Sequence, residues 1–351
     1  MKIITSIIAA LVLWAAAAQA QTPVPGASAR PIPAAPQLGA KSYLLADFNS
    51  GQILVESNAD MRVEPASITK LMTAYVVFAE LSQGNLTLDE LVPVSEKAWR
   101  TGGSRMFIDP QMQVSVEDLL RGMVIQSGND ASVALAEHVA GSEEAFASLM
   151  NHFAEQLGMT GTHYVNATGL PDPDHYTTAR DVAVLSLATI RDFPDYYAWY
   201  SEKEFTFNNI RQHNRNTLLW RDPAIDGLKT GHTEAAGYCL AASAKRDGTR
   251  LVSAVMGAAS EATRASQSQT LLNYGFRFFE TVQLYQGGQE LARARVWKGL
   301  SEEVALGIAD ELFVSRHTVK TQAMSTYRKL GAHTRTEAIA RARNAGLLPP
   351  A

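Results

Sequence analysis

The chain has 351 residues, 46% of them hydrophobic and 19% charged, with a formal net charge of -4. This is ordinary globular material, long enough for one large domain and a smaller one, and its bulk charge offers no attraction to nucleic acid. The charge is uneven: Glu311 to Ala351 carries seven Lys or Arg against two Glu, a net +5 that leaves -9 for the rest.

In chain order, Met1-Lys2, the apolar run Ile3 to Ala18 and the small residues around Ala20 read as a secretory signal over residues 1–20. The alternative is an uncleaved N-terminal anchor; either way the rest of the chain is exported. Residues 21–38 are Pro/Ala-rich and lack periodicity, as a flexible spacer does. Ser42 to Asp47 and Gln52 to Glu56 read as two strands around Asn49-Ser50-Gly51. Leu71 to Leu81 is a buried helix, and Leu86 to Gln113 is loop-rich. Helices follow over Val116 to Val124, Ala131 to Val139, Glu143 to Leu157 and Thr178 to Arg191, the last with Thr178 as its N-cap. Gly237 to Ala244 and Arg250 to Met256 are strands joined through Lys245-Arg246-Asp247-Gly248, and Ala265 to Glu280 is a closing helix. Strands at both ends with helices between them predict a mixed α/β (α+β) fold whose sheet joins distant parts of the chain. The lone cysteine, Cys239, excludes an internal disulfide and reads as a buried, inert thiol.

Three stretches carry chemistry. Ser67 and Lys70 are three apart where a helix begins, so they share one face. A serine hydroxyl becomes a useful nucleophile when an adjacent base takes its proton, and a lysine kept neutral by burial is such a base. The structural alternative, Ser67 as a mere N-cap, sits poorly with Lys70, because a capping box places Glu or Gln there. Ser127-Gly128-Asn129 is a turn that can aim a hydroxyl and an amide into a cleft, or simply a turn. Lys229-Thr230-Gly231-His232 is either a carboxylate-binding edge strand or a solvated basic turn.

Together, Ser-x-x-Lys, Ser-x-Asn and Lys-Thr-Gly in this order form the pattern of penicillin-binding serine acyltransferases. The sequence resembles the low-molecular-mass D-alanyl-D-alanine carboxypeptidases over roughly Lys41 to Ile308. The resemblance rests on Pro65 to Thr73, Gln126 to Ala131, His213 to Asn216, Asp226 to Thr233 and Leu271 to Phe276. It implies a β-lactamase/penicillin-binding fold over 39–280, with an antiparallel sheet flanked by helices and an inserted helical lobe. Residues 281–310 would be a truncated fragment of a β-rich second domain. By resemblance Ser67 is the acylated nucleophile, Lys70 its base and Ser127 a proton relay, while Asn129 holds the substrate amide. Lys229, Thr230 and Gly231 lie on the strand facing Ser67, and the backbone N–H groups of Ser67 and His232 form the oxyanion hole. Arg264 is the cation for the substrate's terminal carboxylate, with Arg215 a second candidate. The implied substrates are peptidoglycan stem peptides in the periplasm, β-lactams are inhibitors, and no cofactor is required. The membrane-binding C-terminal helix usual in the family is not recognisable, which leaves membrane association open.

Two rival functions have specific residues behind them. A class A β-lactamase needs a glutamate-activated water. Between Asp130 and Lys229, however, Glu137, Glu143, Glu144, Glu155, Glu202 and Glu204 all lack a Glu-x-x-Leu-Asn setting. A sensor or DNA-binding regulator is suggested by residues 311–351, a basic helical tail that resembles part of a LuxR-type helix-turn-helix, with Thr318 to Leu330 as its recognition helix. Export away from DNA and the missing first helix argue against nucleic acid as a partner. His138, His152, His163 and His175 are spread without metal-ligand spacing, so no metal is expected.

Overall fold

The structure, a computed structural model, describes residues 32–279, strands over 290–295 and 303–307, and residues 337 and 341. The elements below all belong to the unit Pro36–Ala351. The expected signal, most of the spacer and nearly all of the tail lie outside the described residues.

Strands β1 (Ser42–Asp47) and β2 (Ile53–Ser57) form an N-terminal hairpin. A 3-10 turn over Ala66–Ile68 leads straight into α1 (Thr69–Ser82), where every residue except Glu80 and Ser82 is buried. A helix apolar all round belongs in the middle of a core. Lys70 is its one lysine, and it is 1% exposed. The loop-rich segment, Leu86 to Gln113, also holds β3 (Leu91–Pro93) and α2 (Glu96–Arg100). Both are too short to show periodicity: Ser95 caps α2 by accepting from the Ala98 N–H, and β3 pairs with β4 (Gln113–Ser115).

Helix α3 (Val116–Arg121) starts on a Ser115 cap and runs into a π-helical turn over Gly122–Gln126. After Ser127-Gly128 come α4 (Asn129–Ala140), α5 (Glu143–Leu157) on a Ser142 cap, and α6 (Ala179–Asp192) on the expected Thr178 cap. Helices α2 to α5 form the inserted lobe, in which α4 and α5 pack on α1. Beyond α6 lie α7 (Pro194–Tyr197), the hairpin β5 (Glu204–Phe207) and β6 (Ile210–His213), and α8 (Leu218–Arg221). The chain then forms β7 (Ile225–Thr233), β8 (Gly237–Arg246), β9 (Thr249–Ala258) and α9 (Glu261–Phe278). Strands β10 (Glu290–Arg295) and β11 (Glu303–Gly307) pair with each other.

The main sheet is antiparallel with order β2-β1-β9-β8-β7, so the first hairpin docks on strands about 200 residues later. Successive side chains of β1 point to opposite faces. Leu44 and Ala46 line a cavity with Ala183, Val184 and Leu187 of α6. Leu45 and Leu251 lie so close to Gly275 of α9 that an added Cβ would meet them at 2.9 and 2.5 Å. Helices therefore cover both faces of the sheet, as the resemblance implies. The expected turn between β8 and β9 narrows to Asp247-Gly248, at φ 48° and 83°, a two-residue connection suited to the twist of the strands.

Candidate active site

Ser67 lies on the 3-10 turn before α1 and Lys70 lies one turn on. The Lys70 ammonium nitrogen is 2.9 Å from Ser67 Oγ. It also donates to Asn129 Oδ1 at 2.6 Å and to the Thr168 carbonyl at 2.6 Å. Burial pushes the Lys70 pKa down to about 7, against a smaller upward pull from the Asp130 carboxylate. A neutral amine has two N–H bonds and one lone pair. With both N–H groups donated to Asn129 and Thr168, the lone pair is left facing the Ser67 hydroxyl. The site thus holds a serine and its base already in hydrogen-bond geometry.

Each partner of Lys70 is itself anchored. Asn129 Nδ2 donates to the Gly102 carbonyl at 2.6 Å, which fixes the amide so that its oxygen faces Lys70. Thr168 sits on a tight loop in which Asn166 Oδ1 accepts from the Thr168 and Gly169 N–H groups. Thr73 Oγ1 donates to the Ala167 carbonyl at 2.7 Å and ties this loop to α1. Asp130 accepts from the backbone N–H groups of Met106, Phe107 and Ile108, which holds the opposite wall.

A cavity of about 210 Å³ opens over Ser67. Its lining includes Ser127, Thr230, Gly231, His232, Arg215 and Arg264, six of the residues expected from sequence, together with Ser104, Tyr238 and Glu261. Ser127 has φ 70°, and its Oγ is buried with no hydrogen-bond partner among the described residues. Strand β7 is the sheet edge, and Gly231 lets it approach the nucleophile's turn. A Cβ there would lie 3.0 Å from the Pro65 carbonyl oxygen and 3.1 Å from the Ile68 nitrogen.

The cations differ in accessibility. Arg264 is 6% exposed, packs over the Tyr238 ring, and makes long contacts to the Gly231 carbonyl at 3.4 Å and to Glu261 at 3.3 Å. Arg215 is exposed at the mouth. Lys229 is 2% exposed, and among the described residues its ammonium group donates to the Thr230 carbonyl at 3.2 Å. Burial, reinforced by Lys70, Arg215 and Arg264, holds its pKa well below the usual lysine range. Asn129 bonds protein at both ends of its amide, accepting from Lys70 at Oδ1 and donating to the Gly102 carbonyl from Nδ2, which leaves its second amide N–H outside these two bonds.

Residues 29–260 match the family model described as D-alanyl-D-alanine carboxypeptidase. The chain belongs to that family. The D-alanyl-D-alanine carboxypeptidase DacA of Escherichia coli K12 is 47% identical over 291 residues, covering 81% of this chain and 72% of DacA. The crystal structure of penicillin-binding protein 5 from Haemophilus influenzae superposes with a TM-score of 0.75 at 46% identity, covering 79% of this chain and 82% of that one. Penicillin-binding protein D2 of Listeria monocytogenes, solved in its ampicillin-bound form, superposes with a TM-score of 0.64 at 31% identity. It covers 69% of this chain and all of its own. Residues 298–342 match a second model, bacterial regulatory proteins of the luxR family. That match begins inside the segment expected to be a second-domain fragment.

Several residues of the D-alanyl-D-alanine carboxypeptidase site escaped sequence reasoning. Thr168 acts through its backbone carbonyl, which no residue type announces. Asn166 and Asp130 act on backbone N–H groups, and their signal is only that of ordinary loop residues. Glu261 was findable, because it lies one helical turn before Arg264. The six glutamates weighed for a β-lactamase lie outside the cavity lining. Glu143 pairs with Lys97, Glu202 with Arg121, and Glu204 with Arg211. The buried Cys239 thiol, pushed up to about 11 by desolvation, is the inert group expected.

Proposed function

We propose that the protein is a serine-type D-alanyl-D-alanine carboxypeptidase that removes the terminal D-Ala from peptidoglycan stem peptides and is acylated by β-lactams. The observation carrying this reading is Lys70: buried, its pKa lowered to about 7, with its side-chain nitrogen within hydrogen-bond distance of Ser67 Oγ, Asn129 Oδ1 and the Thr168 carbonyl. Ser67 Oγ attacks the penultimate D-Ala carbonyl as its proton passes to Lys70. The carbonyl oxygen takes the negative charge, stabilised by the backbone N–H groups of Ser67 and His232, each such donor contributing about 3–4 kcal/mol. Lys70 returns the proton through Ser127 to the leaving amine, the C–N bond breaks, and D-Ala departs. Water then repeats the attack on the ester, giving the shortened stem and free Ser67.

The substrate's free carboxylate meets Thr230, Arg264 and Arg215, with Lys229 on the same strand as Thr230. A β-lactam presents a comparable carbonyl and carboxylate, but its leaving group stays tethered, so the ester persists. Asn129 acts here as a positioning residue for Lys70. The domain limits proposed are 1–20 signal, 21–38 spacer, 39–280 catalytic domain, 281–310 second-domain fragment and 311–351 basic tail, which puts the catalytic domain in the periplasm. The luxR-family match supports no part in this chemistry for the tail. Release of D-alanine from a peptide ending in D-Ala-D-Ala, lost in Ser67→Ala, tests the reading; release unchanged in that variant would refute it.

A further inference from the structure

His175 is 2% exposed and has no place in the proton path above. Its ring bridges two elements. The Val165 N–H donates to Nδ1 at 3.1 Å, and Nε2 lies 2.8 Å from Thr69 Oγ1. A backbone N–H can only donate, so Nδ1 is the acceptor and the ring proton sits on Nε2, pointing to Thr69. Thr69 adjoins Lys70 at the start of α1. Val165 begins the loop that delivers the Thr168 carbonyl to Lys70.

That loop also meets Thr69 directly, since a Cβ on Gly169 would lie 2.8 Å from Thr69 Oγ1. Within it, Asn166 fixes the turn, so the direction of the Thr168 carbonyl follows the placement of its base at Val165. We propose that His175 is a positioning residue for acyl transfer, clamping the 165–169 loop to the first turn of α1 so that the Thr168 carbonyl holds one N–H of Lys70 and its lone pair stays on Ser67. This rests on the Ser67–Lys70 reading given above. The groups whose charge reaches the ring are Asp172, which favours its protonated form, and His163 and Lys70, which oppose it. With the ring neutral, both bonds are kept. Protonation of Nδ1 would set an N–H against the Val165 N–H and open the clamp.

The loop has two other anchors, Thr73 to the Ala167 carbonyl and Glu143 to the Ala167 N–H, so loss of His175 should loosen it without unfolding it. The test is stopped-flow acylation of the full chain by a fluorescent penicillin, which separates the dissociation constant of the first complex from the first-order acylation constant. His175→Leu keeps the volume without the bonds and should lower the acylation constant roughly 10–100-fold, the scale of a small misplacement at a reacting group, with the dissociation constant unchanged. His175→Gln, which can donate and accept, should recover most of that loss. Thr69→Val removes one end of the clamp alone and should slow acylation in the same direction, which covers the case in which the leucine variant does not fold. Folded variants that acylate at the wild-type rate, or in which both constants shift together, would overturn the proposal. Absence of acylation in the unmodified protein would instead refute the assignment of Ser67 and Lys70.

Discussion

Gly169 sits against the Ala66 carbonyl so closely that a Cβ built on it would lie 1.8 Å from the oxygen, and its φ is 84°. Ala66 precedes the nucleophile and is itself at φ 49°. The loop that holds the base and the turn that holds Ser67 are thus in backbone contact. Gly169→Ala must then move one of them, in addition to placing a side chain in a left-handed conformation. The variant should lose more than about 2 kcal/mol of stability, by denaturant titration, and most of its acylation by penicillin. A Gly169→Ala protein with wild-type stability and acylation would show that this contact is slack.

A second expectation concerns pH. Lys70 must be neutral to accept the Ser67 proton, and its pKa is pushed down to about 7. The neutral fraction grows as pH rises through that value, so the acylation rate should climb with a midpoint near pH 7 and level off above it. A rate that stays flat from pH 5 to 9 would mean that another group takes the proton.

Lys70→Arg gives a complementary result. A guanidinium stays protonated at every accessible pH and offers no lone pair. Acylation should fall by orders of magnitude while the far-ultraviolet circular dichroism stays that of the parent. Near-normal acylation in this variant would point to a different base.

His175 links pH to stability. Burial lowers its pKa from 6.5 to about 4, so between those values the unfolded chain binds the proton and the folded chain does not. Stability is therefore fully present above about pH 6.5 and is lost as pH falls towards 4, by at most about 3 kcal/mol from this group. Unfolding free energies measured across that window should slope downward with acidification, and the slope should shrink in His175→Gln. Equal slopes in the two proteins would mean that His175 is not held neutral.

The legible parts of the fold were those where local chemistry and tertiary structure agree. The Thr178 cap, the full length of α5, and the β8–β9 hairpin all carry short-range signals. Ser67 and Lys70 were legible because one helical turn separates them and because lysine is out of place in a capping box. The start of α9 was hidden: Ser260 caps it and Glu261 to Arg264 form its first turn, but those residues lack an apolar stripe. The β5–β6 hairpin was missed although Asn208-Asn209, at φ 48° and 62°, is a turn pair that tolerates left-handed backbone. The Thr168 carbonyl that accepts from Lys70 could not be read at all, because a carbonyl belongs to every residue. The burial of Lys229 was equally hidden, since it depends on the strand edge meeting a turn some 160 residues earlier in the chain.

On the proposed function, the cations would make the site selective for a free carboxylate. Thr230, Arg264 and Arg215 line the cavity beside Ser67, and the only carboxylate in that lining, Glu261, already leans on Arg264. A peptide ending in D-Ala-D-Ala should be cleaved far faster than its C-terminal amide, and Arg264→Ala should narrow the difference chiefly through KM. Equal rates on acid and amide, assayed by D-alanine or D-alaninamide release, would remove the cations from substrate recognition.

The most direct measurement is the intact mass of the full chain and of Ser67→Ala after incubation with benzylpenicillin. The parent protein should gain the mass of one penicilloyl group, mapped by peptide digestion to Ser67, and Ser67→Ala should gain none. A label on the alanine variant, or one that maps to Ser127 in the parent, would contradict Ser67 as the nucleophile and with it the acyl-transfer reading of this site.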